Sequence, residues 1–296
     1  MRIIIIPFLI FTAFVYLNAQ EQDTDTVSIA RELGSVFNDS RVVTVQSTET
    51  LRKGMLDLRA SFRFGDIASN EGGWSSFFGM DRIADIAAGA EYGITDDITL
   101  GAFASKGTGL LRQNVHASVK IKLLSQNNSN IPLSAAIYGL GSLSTMDSGN
   151  PEGSFIETFQ HRLAYHASIM LARNFNDLVS FQFHGGYTYR SIVLFDDEND
   201  LFNVGGAFKL HLTQNIGLLV DGNYIMSDSR NSNNGYYPAI GAGIEVKTND
   251  GDILQVNITN ARGIFETDFL PYTTSNWREG EFRVGFTLSK KLKINP

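Results

Sequence analysis

The sequence predicts an all-β protein, an antiparallel transmembrane β-barrel of about twelve strands with short periplasmic turns and long extracellular loops. Three observations predict it. From Leu51 onward apolar side chains take every second position, short and long connections alternate along the chain, and residues 1–19 read as an export leader. The composition agrees: 43% hydrophobic, 19% charged, 11% aromatic and 28 Gly against 6 Pro describe a folded chain rich in strands and turns. The absence of Cys removes disulfides, thiolate metal sites and a lipid-anchoring cysteine. A net charge of -7 without a Lys/Arg cluster excludes nucleic acid as a partner.

The leader, MRIIIIPFLIFTAFVYLNA, has Arg2 as its positive start, an apolar stretch from Ile3 to Leu17 and the small Ala19 before an acidic EQDTDT. Its apolar run of about 15 residues, interrupted by Pro7 and Thr12, is short of the ~20 that a helical span needs, so cleavage near Ala19 is expected. No later stretch reaches ~18 apolar residues, which leaves a closed barrel as the way into a membrane. The chain divides into a signal peptide (1–19), an N-terminal periplasmic segment or plug (20–50) and the barrel (51–296), placed in the bacterial outer membrane.

The strands follow in order. Leu56, Leu58, Ala60, Phe62 and Phe64 alternate with Asp57, Arg59, Ser61 and Arg63, and Ala84, Ile86, Ala88, Ala90 and Tyr92 with Asp85, Gly89 and Glu91. After a shorter run from Ile98 to Ala104, the clearest case sets Val115, Ala117, Val119, Ile121 and Leu123 against His116, Ser118, Lys120 and Lys122. One face is oily and the other charged. The pattern continues from Leu133 to Leu143, Leu163 to Leu171, Val179 to Tyr189, Phe202 to Leu212, Ile216 to Tyr224, Ile240 to Val246, Leu254 to Ile258 and Phe282 to Leu288. Tight connections at Thr95–Asp97, Asn174–Asp177, Thr213–Asn215 and Asn249–Gly251 alternate with long ones, as periplasmic turns and extracellular loops would. A soluble sandwich shares the alternation but accounts for neither the leader nor the aromatic residues near strand ends on the oily face, such as Tyr92, Tyr187, Phe202 and Tyr224, which suit interfacial girdles.

Read as strands, Glu49–Gly54 leading into LDLRASFRFGD, then FGMDRIADIAAGAEYGITDDITLGAFASKG and the terminal WREGEFRVGFTLSKKL resemble the Bacteroidota outer-membrane β-barrel family of unknown function (domain of unknown function 5777). The resemblance covers nearly all of the mature chain. It implies an exported outer-membrane barrel and supplies no activity. The ending departs from outer-membrane barrels generally, running past Phe286 and Leu288 through Lys290, Lys291 and Lys293 to Pro296.

About twelve strands give a backbone cylinder roughly 24 Å across. Alternation points Arg59, Arg63, Glu91, Lys120, Lys122, Arg162, Arg190, Lys209, Asp221, Glu245, Lys247 and Arg283 into it. They line either a constricted, water-filled lumen with basic residues in excess or an interior salt-bridge network that stabilises a closed barrel. In the segment from Gln20 to Thr50, Ile29, Leu33, Val36 and Phe37 have helical spacing and Val42, Val43 and Val45 form an extended run, which suits either a plug or a periplasmic tail at the barrel mouth.

Folding the hairpin about Phe175 sets His184 opposite His166, beside Ser168, a lumen polar pair for hydrogen bonding, metal binding or hydrolysis. A hydrolase would also need an orienting group, for which Gln182 is the candidate, and oxyanion donors; no catalytic residue is assigned. Asp196, Asp197, Glu198 and Asp200 on one loop, and Asp228, Asn231, Asn233 and Asn234 on another, lack the spacing and central Gly of a calcium loop, so no metal or cofactor is expected. Trp74, Phe77 and Phe78 in the first long loop are expected to fold inward as a lid. The expected function is passive passage of a small solute, with a non-conducting structural or interaction barrel as the alternative and a hydrolase third. Outer-membrane lipid and, during biogenesis, the barrel-assembly machinery are the expected partners.

Overall fold

The computed structural model describes residues 35–69, 72–107, 109–126, 131–149, 156–176, 178–194 and 197–294; the expected leader and residues 20–34 lie outside them. Twelve strands form one closed antiparallel barrel: β1 (Met55–Asp66), β2 (Ile83–Gly93), β3 (Ile98–Lys106), β4 (Gln113–Leu124), β5 (Ser134–Ser144), β6 (Leu163–Asn174), β7 (Val179–Arg190), β8 (Asp200–His211), β9 (Ile216–Met226), β10 (Ala239–Lys247), β11 (Ile253–Thr259) and β12 (Arg283–Lys293). Each pairs with its neighbours in sequence, and β1 closes on β12 from Met55 opposite Lys293 to Asp66 opposite Arg283. Closure leaves no edge, so the backbone ladder runs unbroken from strand to strand around the wall.

The two-residue period sorts the side chains. Val115 is 41% exposed and Ile169 52% exposed on the outer surface, while His116, Lys120 and His166 on the same strands are buried inside. An apolar outer band with a polar interior is what a strand needs when one face meets lipid. Aromatic pairs sit on the outer face toward the long-loop end, Phe64 edge-on to Phe286 at 5.8 Å and Tyr187 beside Phe202 at 5.1 Å. No described helix is long and apolar enough to cross a membrane; the chain crosses with strands.

Short connections at one end, such as 94–97, 212–215 and 248–252, follow local chemistry. In the last of these Gly251 takes φ +89, the left-handed position that its lack of a Cβ permits, and Thr248 N donates to Asp252 O at 2.9 Å. The expected strict alternation of length fails in one place. The β3–β4 loop at the long end (107–112) is shorter than the β4–β5 connection at the short end (125–133). The longest connection, 260–282, carries the described α-helix α1 (Glu266–Tyr272) and turns inward.

Candidate functional site

The interior is filled from both ends by segments that add no strand to the wall. From the short-turn end enters the stretch before β1. Ser47 N donates to Ser40 O, Arg41 and Gln46 form an isolated antiparallel bridge, and Val42 N donates to Val45 O, making a tight hairpin. The extended run expected over Val42, Val43 and Val45 is therefore a turn. Its cause lies across the lumen, where the Asp221 carboxylate on β9 accepts Val43 N at 2.8 Å, Thr44 N at 2.6 Å, Val45 N at 3.1 Å and the Thr44 hydroxyl at 2.9 Å. Three successive N–H groups converging on one anion make a nest, and the carboxylate satisfies them in a buried setting.

Other wall groups grip the same segment. Arg59 on β1 clamps the Asp39 carboxylate through both terminal nitrogens, at 2.8 and 2.5 Å, and also bonds Asp57 at 2.8 Å. Burial alone pushes the Asp39 carboxyl up, but the Arg59 guanidinium outweighs it by charge and hydrogen bonding and holds it at about 2. Lys120 Nζ donates to Ser40 O at 2.6 Å, Gln182 Nε2 to Gln46 O at 2.7 Å and Gln255 Nε2 to Val42 O. Lys122 meets Glu49 at 3.2 Å, while the other Glu49 oxygen accepts Val36 N and Phe37 N. Val36, Phe37, Val42, Val43 and Val45 pack on Ala172, Ala207 and Leu219 of the inner wall. Of the two placements open to this segment, residues 35–50 take the one inside.

From the other end residues 260–276 descend. Arg63 donates to Gly263 O and Ala261 O, the Asp85 carboxylate accepts Ile264 N at 2.8 Å, and Ser142 and Thr267 share a 2.8 Å hydrogen bond. Phe265 stacks on His116 with centroids 3.9 Å apart, and His116 is held between the Ser105 and Ser142 hydroxyls at 2.8 and 2.7 Å. Burial pushes the Asp268 carboxyl well above the usual carboxylate range, and Asp85 and Glu266 push it further. The two insertions meet at Arg41, which donates to Ile264 O and pairs with Glu266 at 3.4 Å. Cavities of ≈ 10 Å³ lie beside the insertions, one by Arg41, Arg59 and Phe265 and one by Gln46, His166 and His184. Each has room for about one water.

The twelve expected charges all lie on the inner wall or at its rim. Lys209 pairs with Glu245, a fully buried ion pair that Asn38 Nδ2 joins at 2.8 Å. Arg190 and Arg230 share Asp197, with Tyr272 at 3.2 Å from Arg190. The two arginines outweigh the cost of burial and hold the Asp197 carboxyl below its ordinary range. Arg283 reaches Ser275 Oγ at 2.8 Å, and Lys247 is half-buried at the short-turn end of β10. Arg162 precedes β6, in a 3₁₀ turn at the mouth, and donates to Ser144 O and Met146 O.

Two expectations need correction. His184 lies opposite Met170 and His166 opposite Thr188, four residues from the expected pairing. The reason is local: Asn176 Oδ1 accepts Leu178 N and Val179 N, which centres the turn beyond Phe175. His166 instead bonds Thr188 at 2.8 Å and His184 bonds Asn223 at 2.7 Å. Trp74, Phe77 and Phe78 do not form an inward lid. Trp74 is 78% exposed, and its ring packs on Phe77 at 6.2 Å and Phe78 at 5.9 Å around a turn in which both phenylalanines have positive φ. The lumen is closed by 260–276 instead, a role that the sequence reading missed although Ile264, Phe265, Phe269 and Leu270 marked it as an unusually apolar loop. It likewise missed Asp39, Arg41 and Glu49. Among the described residues no cluster of His, Asp and Glu could hold a metal ion.

Residues 37–292 match the membrane bound beta barrel domain family DUF5777. The chain belongs to this family. No curated protein matches it. Among solved structures, the DUF5777 barrel is similar to the NanC porin (10% identity, TM-score 0.49, covering 81% of this chain and 100% of that one). It is also similar to an outer membrane channel from Pseudomonas putida F1 (9%, 0.48, 83% and 98%) and to the KdgM porin in complex with disordered oligogalacturonate (9%, 0.46, 81% and 99%). The DUF5777 barrel is thus a membrane barrel whose lumen holds two segments of its own chain.

Proposed function

We propose that this barrel is an outer-membrane channel for a small solute, held shut by its own N-terminal segment and its 260–282 loop. One observation carries the reading: the β1–β12 ladder completes the wall without either insertion, and what they leave behind is a mainly polar, charged surface with a small apolar patch at Ala172, Ala207 and Leu219. A permanent core would be expected to be apolar, because buried ion pairs contribute little net stability over hydrophobic residues of the same volume. Withdrawal of the hairpin also removes the Arg41 contacts to Ile264 O and Glu266, which leaves the loop held by the wall alone, through Arg63, Asp85 and Ser142. The lumen charges then serve as an electrostatic filter.

A reversible lock tests it. The chain has no cysteine, and a Cβ built at Gly241 lies 3.0 Å from Val43 Cβ, so a backbone shift of about 0.5–0.8 Å brings the pair to disulfide spacing. The Val43→Cys, Gly241→Cys protein, refolded and inserted into a planar bilayer, should be silent when oxidised and show discrete conductance steps when reduced. Silence in both states, from a barrel that still migrates differently folded and boiled, would support the second reading of a non-conducting structural or interaction barrel. That reading is favoured by how closely the two insertions pack on the inner wall, Val36, Phe37, Val42, Val43 and Val45 against Ala172, Ala207 and Leu219 and Phe265 against His116.

A further inference from the structure

Two carboxylates of the plug, Asp39 and Glu49, meet an arginine and a lysine of the wall. Asp39 sits on Arg59 in the two-pronged arrangement by which a guanidinium recognises a free carboxylate. Glu49 sits on Lys122, on β4, and Lys120 one pleat away donates to the adjoining backbone at Ser40 O. The pattern recurs at the long-loop mouth, where Asp197 is gripped at both oxygens by Arg230, at 2.5 and 2.8 Å, with Arg190 of the wall alongside. Near both mouths, therefore, a carboxylate borne on a segment outside the sheet fills a seat made by basic side chains.

Removing the hairpin would take Asp39 and Glu49 with it. Arg59, Lys120 and Lys122 would then face the lumen from β1 and β4, with Asp57 and Glu91 as the acids beside them. Asp221, which would also be uncovered, stands on β9 on the opposite side of the closed strand order. We infer that the solute of this channel is a small carboxylate-bearing anion, and that Asp39 and Glu49 are tethered occupants of the seats it uses. The inference rests on the channel reading and deepens it. A seat already shaped for a carboxylate gives the incoming solute a means of opening its own path: it competes with Asp39 for Arg59, and only a ligand that binds the open state better than the closed one can shift the balance between them.

The test uses the full chain in a planar bilayer with succinate as probe. Wild-type protein should open more often as succinate is added. The Asp39→Asn, Glu49→Gln variant should open without it and pass chloride over potassium by about tenfold, the lower end of what charge focusing in a low-dielectric cleft provides. Adding Arg59→Gln should reduce both that ratio and the response to succinate. Openings that favour potassium, or a wild-type channel that opens but ignores succinate, would overturn the inference while leaving the channel reading intact. Folded wild-type and variant barrels that never open under any of these conditions would overturn both. Glu49→Gln alone, which keeps the Asp39–Arg59 clamp, serves if the double variant does not fold: it should still need succinate to open, at a lower concentration than wild type, and once open should pass chloride over potassium.

Discussion

Asp221→Ala should free the N-terminal hairpin while leaving the barrel closed. The Asp221 carboxylate accepts hydrogen bonds from three plug amides and the Thr44 hydroxyl, at 2.6–3.1 Å, in a fully buried setting. A buried donor left without its partner costs about 1–3 kcal/mol, and hydrogen bonds that share one acceptor do not add fully. Taking the low end for each, the docked state loses about 3–4 kcal/mol, which at 1.4 kcal/mol per decade moves the docking equilibrium by roughly 10²- to 10³-fold. The wall pairs β9 with β8 and β10 through its backbone, so the substitution removes no rung of the ladder. Hydrogen exchange of the 36–48 peptide, followed by mass spectrometry in detergent, reads the effect directly. Protection there should fall by about the same factor, while peptides from β6 and β7 keep theirs. Asp221→Asn, which retains one acceptor oxygen, should fall between. Unchanged protection of residues 36–48 in the alanine variant would show that Asp221 is not the anchor and would refute the reasoning.

Three further outcomes follow from the same contacts. Gly241→Val places its Cβ 2.6 Å from Val43 Cγ1 and should expose the hairpin to protease with the folded barrel retained; an unaltered digestion pattern would count against the packing described. Lys209→Met strands the buried Glu245 and should cost about 3–5 kcal/mol in urea unfolding, much of which Lys209→Met, Glu245→Leu should restore. The Asp39 carboxyl is depressed in the folded protein, so its contribution is fully present above its ordinary value near 3.8 and is lost as pH falls through about 2. Protection of the 36–48 peptide, corrected for intrinsic exchange, should therefore lose the Asp39 share only below about pH 4; a loss centred near pH 6 would assign the acid sensitivity to another group.

The wall was legible because lipid is an unforgiving solvent. It demands an apolar side chain at every second position, and the run from Val115 to Leu123 with its interleaved His116, Lys120 and Lys122 fits β4 residue for residue. The inward direction of Arg59, Lys209 and Glu245 follows from the same period. Their partners do not, because Asp39 and Arg59 meet through a fold that brings the N-terminal segment into the lumen, and nothing local records it. Val42, Val43 and Val45 have the residues of a strand, and it takes Asp221, 177 positions after Thr44, with Gln182 and Gln255 beside it, to hold them in a turn. The histidine register failed on a smaller scale, because Asn176 sets the centre of the turn and a fold drawn about Phe175 misses it.

The chain is made N-terminus first, yet the hairpin before β1 has nowhere to dock until the last of the protein arrives. Val42 is held by Gln255, 213 positions later, and the strand that completes the cylinder, β12, is later still. Residues 36–48, with five apolar side chains among them, must therefore travel and wait exposed while the rest follows. Loop closure over such a span is slow compared with formation of the neighbouring hairpins, which join strands adjacent in sequence. Either a chaperone covers these residues on the way, or the cylinder closes around them. The order in which this protein is made is thus close to the reverse of the order in which its interior is assembled.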